Sequence, residues 1–187
     1  MISDGSNYYV ITSGPGSGKT SIIEALRARG FRCVDEVGRA ITQEQLKIGG
    51  SAVHWADRVT FRELMLSRSI RDYEQVGISS TPVFFDRGIP GLIGYCRLID
   101  VPAPLHLWKA AELFRYNARV FVTPPWGEIY RNDAERKQDF AEAVATYEVV
   151  TASYREAGYA LVEIPKLPVE ERVDFILAQT GFRSMSR

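Results

Sequence analysis

Residues 13–20 read SGPGSGKT, with Ser21 following. Apart from its first position, the octet matches G-x-x-x-x-G-K-[ST], a loop that grips phosphate through main-chain amides. Gly14, Gly16 and Gly18 let the backbone curl around an anion without Cβ collisions, and Pro15 stiffens the curl. Ser17 completes the turn. Lys19 is spaced to reach the β- and γ-phosphates, and the Thr20 hydroxyl to ligate Mg²⁺. Ser13 stands where glycine is usual. It precedes the cradling amides, and glycine is required only where φ is positive or a Cβ would collide. A working triphosphate site over Gly14–Ser21 is therefore expected, with a ligand-free glycine turn as the plain alternative.

Other chemistry-bearing residues fall just after apolar stretches. Asp86 closes VFFD, where a second carboxylate could hold Mg²⁺ through water opposite Thr20. Arg87 follows it, and a turn cap beside a solvated arginine is the structural alternative. Asp35 and Glu36 follow FRCV, with Arg39 one turn on. A carboxylate there could take a proton from an acceptor hydroxyl, although helix capping explains it equally well. The stretch YRNDAERKQ gathers Arg131 and Arg136, which could close over the phosphates and neutralise developing charge, with a solvated, charged helix start as the plain alternative. Lys166 sits between two prolines in EIPKLPVEER, where an adenine base could rest, although a plain strand–helix connector explains the loop equally well. His54 and His106 are isolated from any metal-ligand partner at useful spacing. Trp55 and Trp108 read as packing residues on amphipathic helices.

These residues need elements to position them. Strands are expected over residues 7–12, 31–34, 81–88, 118–126 and 159–165. Helices are expected over 19–29, 37–50, 54–77, 139–158 and 168–180, with two more between 88 and 118 broken by DVPAP. Gly30, the Gly49-Gly50 pair and Gly77 supply stops. Strands alternating with helices predict a parallel sheet with helices on both faces. Ligands then gather at the carboxyl ends of the strands, which is where the residues above fall. One domain is expected over 1–187, with a small lid at about 124–138. The tail GFRSMSR is expected to be loosely held.

Lysine plus arginine equal aspartate plus glutamate at 23 each, and hydrophobic residues make up 45% of the 187. No basic excess marks a nucleic-acid partner. No apolar run approaches the ~20 residues of a membrane span. Cys33 and Cys96 form neither a metal spacing nor a disulfide framework. With no secretory layout at the start, a cytoplasmic location is expected. Nothing in the residues decides between a monomer and a homodimer.

SGPGSGKT, DEVGRAI, FFDRGIP, VFVTPPW, IYRNDAERKQDF and LVEIPKLPVEERVDFIL together resemble the small predicted ATPases of the AAA_28, NadR-like family, relatives of an ATP-dependent nicotinamide riboside kinase domain. The likeness spans residues 8–179. It implies a P-loop NTPase of the kinase type, three-layer α/β/α, with a five-stranded parallel sheet in order 2-3-1-4-5. It implies ATP and Mg²⁺ as ligands. At matching positions it gives Lys19 and Thr20 the phosphate and metal roles, Asp86 the strand-end acid and Arg131 and Arg136 the lid. The expected activity is transfer of the ATP γ-phosphate to a small-molecule hydroxyl or phosphate. Glu36, Arg39 and Arg87 would meet that acceptor. The alternative is an ATPase or switch with water as acceptor.

Overall fold

A computed structural model describes residues 5–130 and 139–182. The chain runs β1 (Tyr8–Ser13), α1 (Lys19–Ala28), β2 (Arg32–Val34), α2 (Val37–Ile48), α3 (Arg58–Val76), β3 (Val83–Asp86), α4 (Pro90–Leu98), α5 (Leu105–Leu113), β4 (Arg119–Thr123), α6 (Phe140–Glu156), β5 (Ala160–Glu163) and α7 (Val169–Thr180). The five strands form one sheet, ordered β2-β3-β1-β4-β5. Every neighbouring pair is parallel. The three-layer kinase-type sheet expected from the resemblance is the one found.

Alternation along β1 explains the layering. Tyr8 and Val10 point to one face and Tyr9 and Ile11 to the other, as the period of two requires. The first face packs on Phe61, Met65 and Tyr73 of α3, Ile93 and Cys96 of α4, and Val150 and Tyr154 of α6. The second packs on Ile22, Ile23 and Leu26 of α1 and on Val173 and Ile176 of α7. Each fully buried aliphatic or phenyl side chain contributes roughly 1.5–3 kcal/mol of transfer free energy. β1 is central and wholly buried, so its carboxyl end is a rigid platform.

Two details differ from the sequence reading. The helix expected to begin at His54 begins at Arg58. Asp57 caps it, accepting from the Thr60 amide at 2.9 Å and the Thr60 hydroxyl at 2.7 Å. Trp55 therefore lies outside the helix and is 53% exposed, so it is not a core residue. Helix α6 opens with a reciprocal cap: Glu142 N–H donates to Asp139, and Asp139 N–H donates to Glu142. Of the tail, Gly181 and Phe182 are described, and Phe182 stacks edge-on with Phe31 at 5.8 Å. No described helix is long and apolar enough to cross a membrane.

Candidate functional site

Parallel pairing brings the strand ends to one edge. Ile11 is in register with Asp86 on one side and with Phe121 on the other. Ser13 and Thr123 pair two residues further on. The loop from Gly14 to Gly18 then turns into α1, whose N-cap is Gly18 at φ 79°. That value lies in the left-handed region, where a side chain would be strained. Ser13 has no such demand, since among the described residues the positive-φ non-glycines are Arg87 and Asp100. It is fully buried, and its Oγ lacks a hydrogen-bond partner among the described residues. The departure from the pattern therefore fits the strand end. Gly14 is needed for a different reason. A Cβ there would stand 2.4 Å from the Ala143 carbonyl oxygen of α6.

The loop is braced from within. Ser17 Oγ donates to the Gly14 carbonyl at 3.2 Å, and Thr123 Oγ1 donates to Ser17 Oγ at 2.7 Å. The motifs alone do not single out Thr123. Its signal is nonetheless present: it ends an apolar strand immediately before Pro124-Pro125. They do not single out Tyr130 either. Its ring lies over Gly16, where an added Cβ would come within 2.4 Å of Cδ2. Its hydroxyl donates to the Asp139 carbonyl at 3.2 Å, and its ring stacks edge-on with Phe140.

Lys19 and Asp86, 67 positions apart in sequence, form a direct ion pair. Their side chains are only 10% and 11% exposed. Burial pushes the Lys19 ammonium below its ordinary value, and the Asp86 charge works against that shift. Thr20 and Ser21 are exposed in the first turn of α1. Among the described residues, no group of three His, Cys, Asp or Glu could hold a metal. Thr20 and Asp86 alone suit a cation that takes its remaining ligands from phosphate oxygens and water, which is how Mg²⁺ is held beside nucleotides.

Beyond Asp86 the chain makes a constrained turn. Arg87 takes φ 70°, uncommon for a residue with a Cβ, and its amide donates to the Ile11 carbonyl at 3.0 Å. The Gly88 amide donates to Tyr154 Oη at 2.8 Å, and the Tyr154 hydroxyl donates back to the Gly88 carbonyl at 3.2 Å. The Ile89 amide donates to Tyr116 Oη at 3.3 Å. Burial pushes both phenols up, so they stay neutral. Arg87 Nε lies 4.0 Å from Glu36 Oε1. Burial opposes its charge, but Glu36 and Asp86 outweigh burial and keep it above the ordinary arginine value.

A cavity of about 920 Å³ opens beside this turn. Glu36, Arg39, Asp86 and Arg87 line it on the sheet side. Trp55, Phe61, Met65 and Tyr95 line it elsewhere. Two buried polar atoms of its walls, Arg87 Nε and Tyr95 Oη, have no hydrogen-bond partner among the described residues. Glu36 occupies the N-cap of α2 without a side-chain cap bond. Asp35 also borders the cavity, but its carboxylate pairs with Arg27, 2.6 Å away. The structure therefore separates two neighbouring carboxylates that are equivalent in sequence. Lys166 is exposed on the β5–α7 connection. Arg131 and Arg136 lie outside the described residues.

The family model AAA_28, described as an AAA domain, matches residues 8–172. Comparison with curated proteins finds none that matches. Among solved structures the chain is similar to NadR protein in complex with NR, at 15% identity and TM-score 0.66. That likeness covers 98% of this chain and 54% of the NadR chain, so this chain spans about half of it. It is also similar to deoxyadenosine kinase from M. mycoides with bound dATP, at 13% identity and TM-score 0.57, covering 94% of this chain and 99% of that one. Thymidylate kinase from Ehrlichia chaffeensis is similar at 14% identity and TM-score 0.52, with 95% and 100% covered. At these identities the likeness establishes a P-loop kinase fold.

Proposed function

Because the chain belongs to the AAA_28 family, we propose that it binds Mg-ATP at residues 14–21 and transfers the γ-phosphoryl group to a small-molecule acceptor held in the adjoining cavity. The observation that carries this reading is the buried Lys19–Asp86 pair standing between a glycine cradle and a large cavity of mixed polarity. A triphosphate entering the cradle offers Lys19 a second anionic partner and so loosens its hold on the Asp86 carboxylate. Thr20 and Asp86 would hold Mg²⁺, which would supply charge neutralisation on the phosphate oxygens.

In the transfer, an acceptor oxygen forms a bond to the γ-phosphorus while the bond from that phosphorus to the β–γ bridging oxygen breaks. ADP leaves with the bridging oxygen. A hydroxyl acceptor gives up its proton, and Glu36 or Asp86 receives it. Arg87 and Arg39 supply positive charge at the acceptor, which suits either a polar hydroxyl compound or one that already carries a phosphate. Arg131 and Arg136 belong to the segment assigned the lid role. Hydrolysis with water as acceptor would leave the aromatic wall of the cavity without a use.

Acceptor-dependent ADP release tests the proposal. Purified protein is given Mg-ATP alone and then with pools of nucleosides, vitamins, sugars and their phosphates. A tenfold or larger stimulation by one pool supports it. ADP release that ignores every pool points to the ATPase instead.

A further inference from the structure

Arg172, on the first turn of α7, is only 5% exposed. Among the described residues no carboxylate pairs with it. Among the described residues its Nε has no hydrogen-bond partner, and its polar contact with them is a long one, NH1 to the Ser17 carbonyl at 3.5 Å. Burial pushes its guanidinium below the ordinary arginine value, and no neighbouring charge among the described residues offsets that. Arg62 makes the comparison clear. It is 6% exposed, but it pairs with Glu63 and also donates to the Cys96 thiol. A desolvated cation without a counter-charge is costly, and its presence calls for an explanation.

Its position supplies one. A Cβ added at Gly18 would lie 3.0 and 3.2 Å from the two terminal guanidinium nitrogens. The guanidinium thus rests against the N-cap of α1, beside the amides that face an anion in a loop of this kind. The Trp126 ring covers it, with Cζ 5.6 Å from the ring centroid.

We propose that Arg172 is a positioning residue of the nucleotide site, whose missing counter-charge is the phosphate chain bound at residues 14–20. This role rests on the reading of those residues as a phosphate site. The guanidinium acts through its field and through the Ser17 carbonyl it backs. It does not touch the reacting atoms. A unit charge several ångströms from a polyphosphate, in a site of intermediate dielectric, changes affinity by about tenfold or more.

The test is calorimetry with Mg²⁺ and two probes, ATP and inorganic tripolyphosphate, together with the melting temperature of the ligand-free protein. Arg172→Gln keeps a donor for the Ser17 carbonyl and removes the charge. It is expected to weaken both probes by the same factor, about tenfold or more. Arg172→Lys is expected to stay within about threefold of the parent. Ligand-free Arg172→Gln is expected to melt no lower than the parent, because an unpaired buried charge is gone. Loss of affinity for ATP alone would assign Arg172 to the base or ribose and overturn the proposal. So would unchanged affinity for both probes. If the parent itself binds neither probe, the phosphate-site reading fails and this inference fails with it.

Discussion

Asp86→Ala removes the counter-charge of a lysine whose side chain is only 10% exposed. Breaking a buried ion pair from one side costs roughly 3–5 kcal/mol, because the remaining charge stays desolvated. The cavity beside Asp86 admits water, so the lower end, about 3 kcal/mol, is expected. Lys19→Met should cost less, since Asp86 still has the Arg87 charge beside it. Lys19→Met/Asp86→Ala leaves no orphaned ammonium and should recover most of the loss. The coupling energy of the cycle is then about 2 kcal/mol. Urea unfolding of the four proteins without nucleotide measures it. Metal-free ATP adds a second reading. It should stabilise Asp86→Ala more than the parent, because in the parent the nucleotide competes with Asp86 for Lys19. A coupling energy below about 0.5 kcal/mol, or equal stabilisation of both proteins by ATP, would refute the exchange of partners proposed for Lys19.

Ser13→Ala should stabilise the protein by about 1 kcal/mol in urea unfolding, since it removes a buried hydroxyl without a partner. ATP affinity should stay within about twofold; a tenfold loss would mean that the Ser13 hydroxyl meets the ligand. Burial raises the Cys33 thiol from 9.0 to about 11. Its alkylation at pH 8 should therefore be about a hundredfold slower than that of a thiol of ordinary pKa, because only the thiolate reacts. Since the folded pKa is the higher one, the contribution to stability is fully present below pH 9 and is lost as pH rises towards 11. Alkylation of the Cys96→Ser variant, followed by mass spectrometry, checks the rate, and urea midpoints between about pH 8 and 11 check the sign.

The sheet is legible in the sequence because its signals are local. Strand β1 is a short apolar run ended by a glycine loop, and Gly30, Gly49 and Gly77 stop helices within a few residues of where the pattern places the ends. The start of α3 is displaced because apolar spacing extends back to Trp55, while the Asp57 cap decides the boundary. Lys19, Asp86, Glu36, Arg39 and Arg87 are legible as candidates from their place after strands. That Lys19 and Asp86 pair is not, since it depends on the register of β1 with β3. Residue type and spacing alone leave Glu36 and Asp35 level; in the fold both border the cavity, and the Asp35 carboxylate is taken by Arg27. Thr123 and Tyr130 act through loop geometry, and single side chains of ordinary type carry no motif. Arg172 reads as one charge in a polar helix start. Only its burial distinguishes it from a solvated arginine.

The most direct test of the phosphate site is titration of Mg-ATP into the protein and into Lys19→Ala by calorimetry. One nucleotide per chain, bound in the micromolar range or tighter and lost in the variant, is the predicted result. No heat from the parent at millimolar ATP, or equal binding by the variant, would contradict the account.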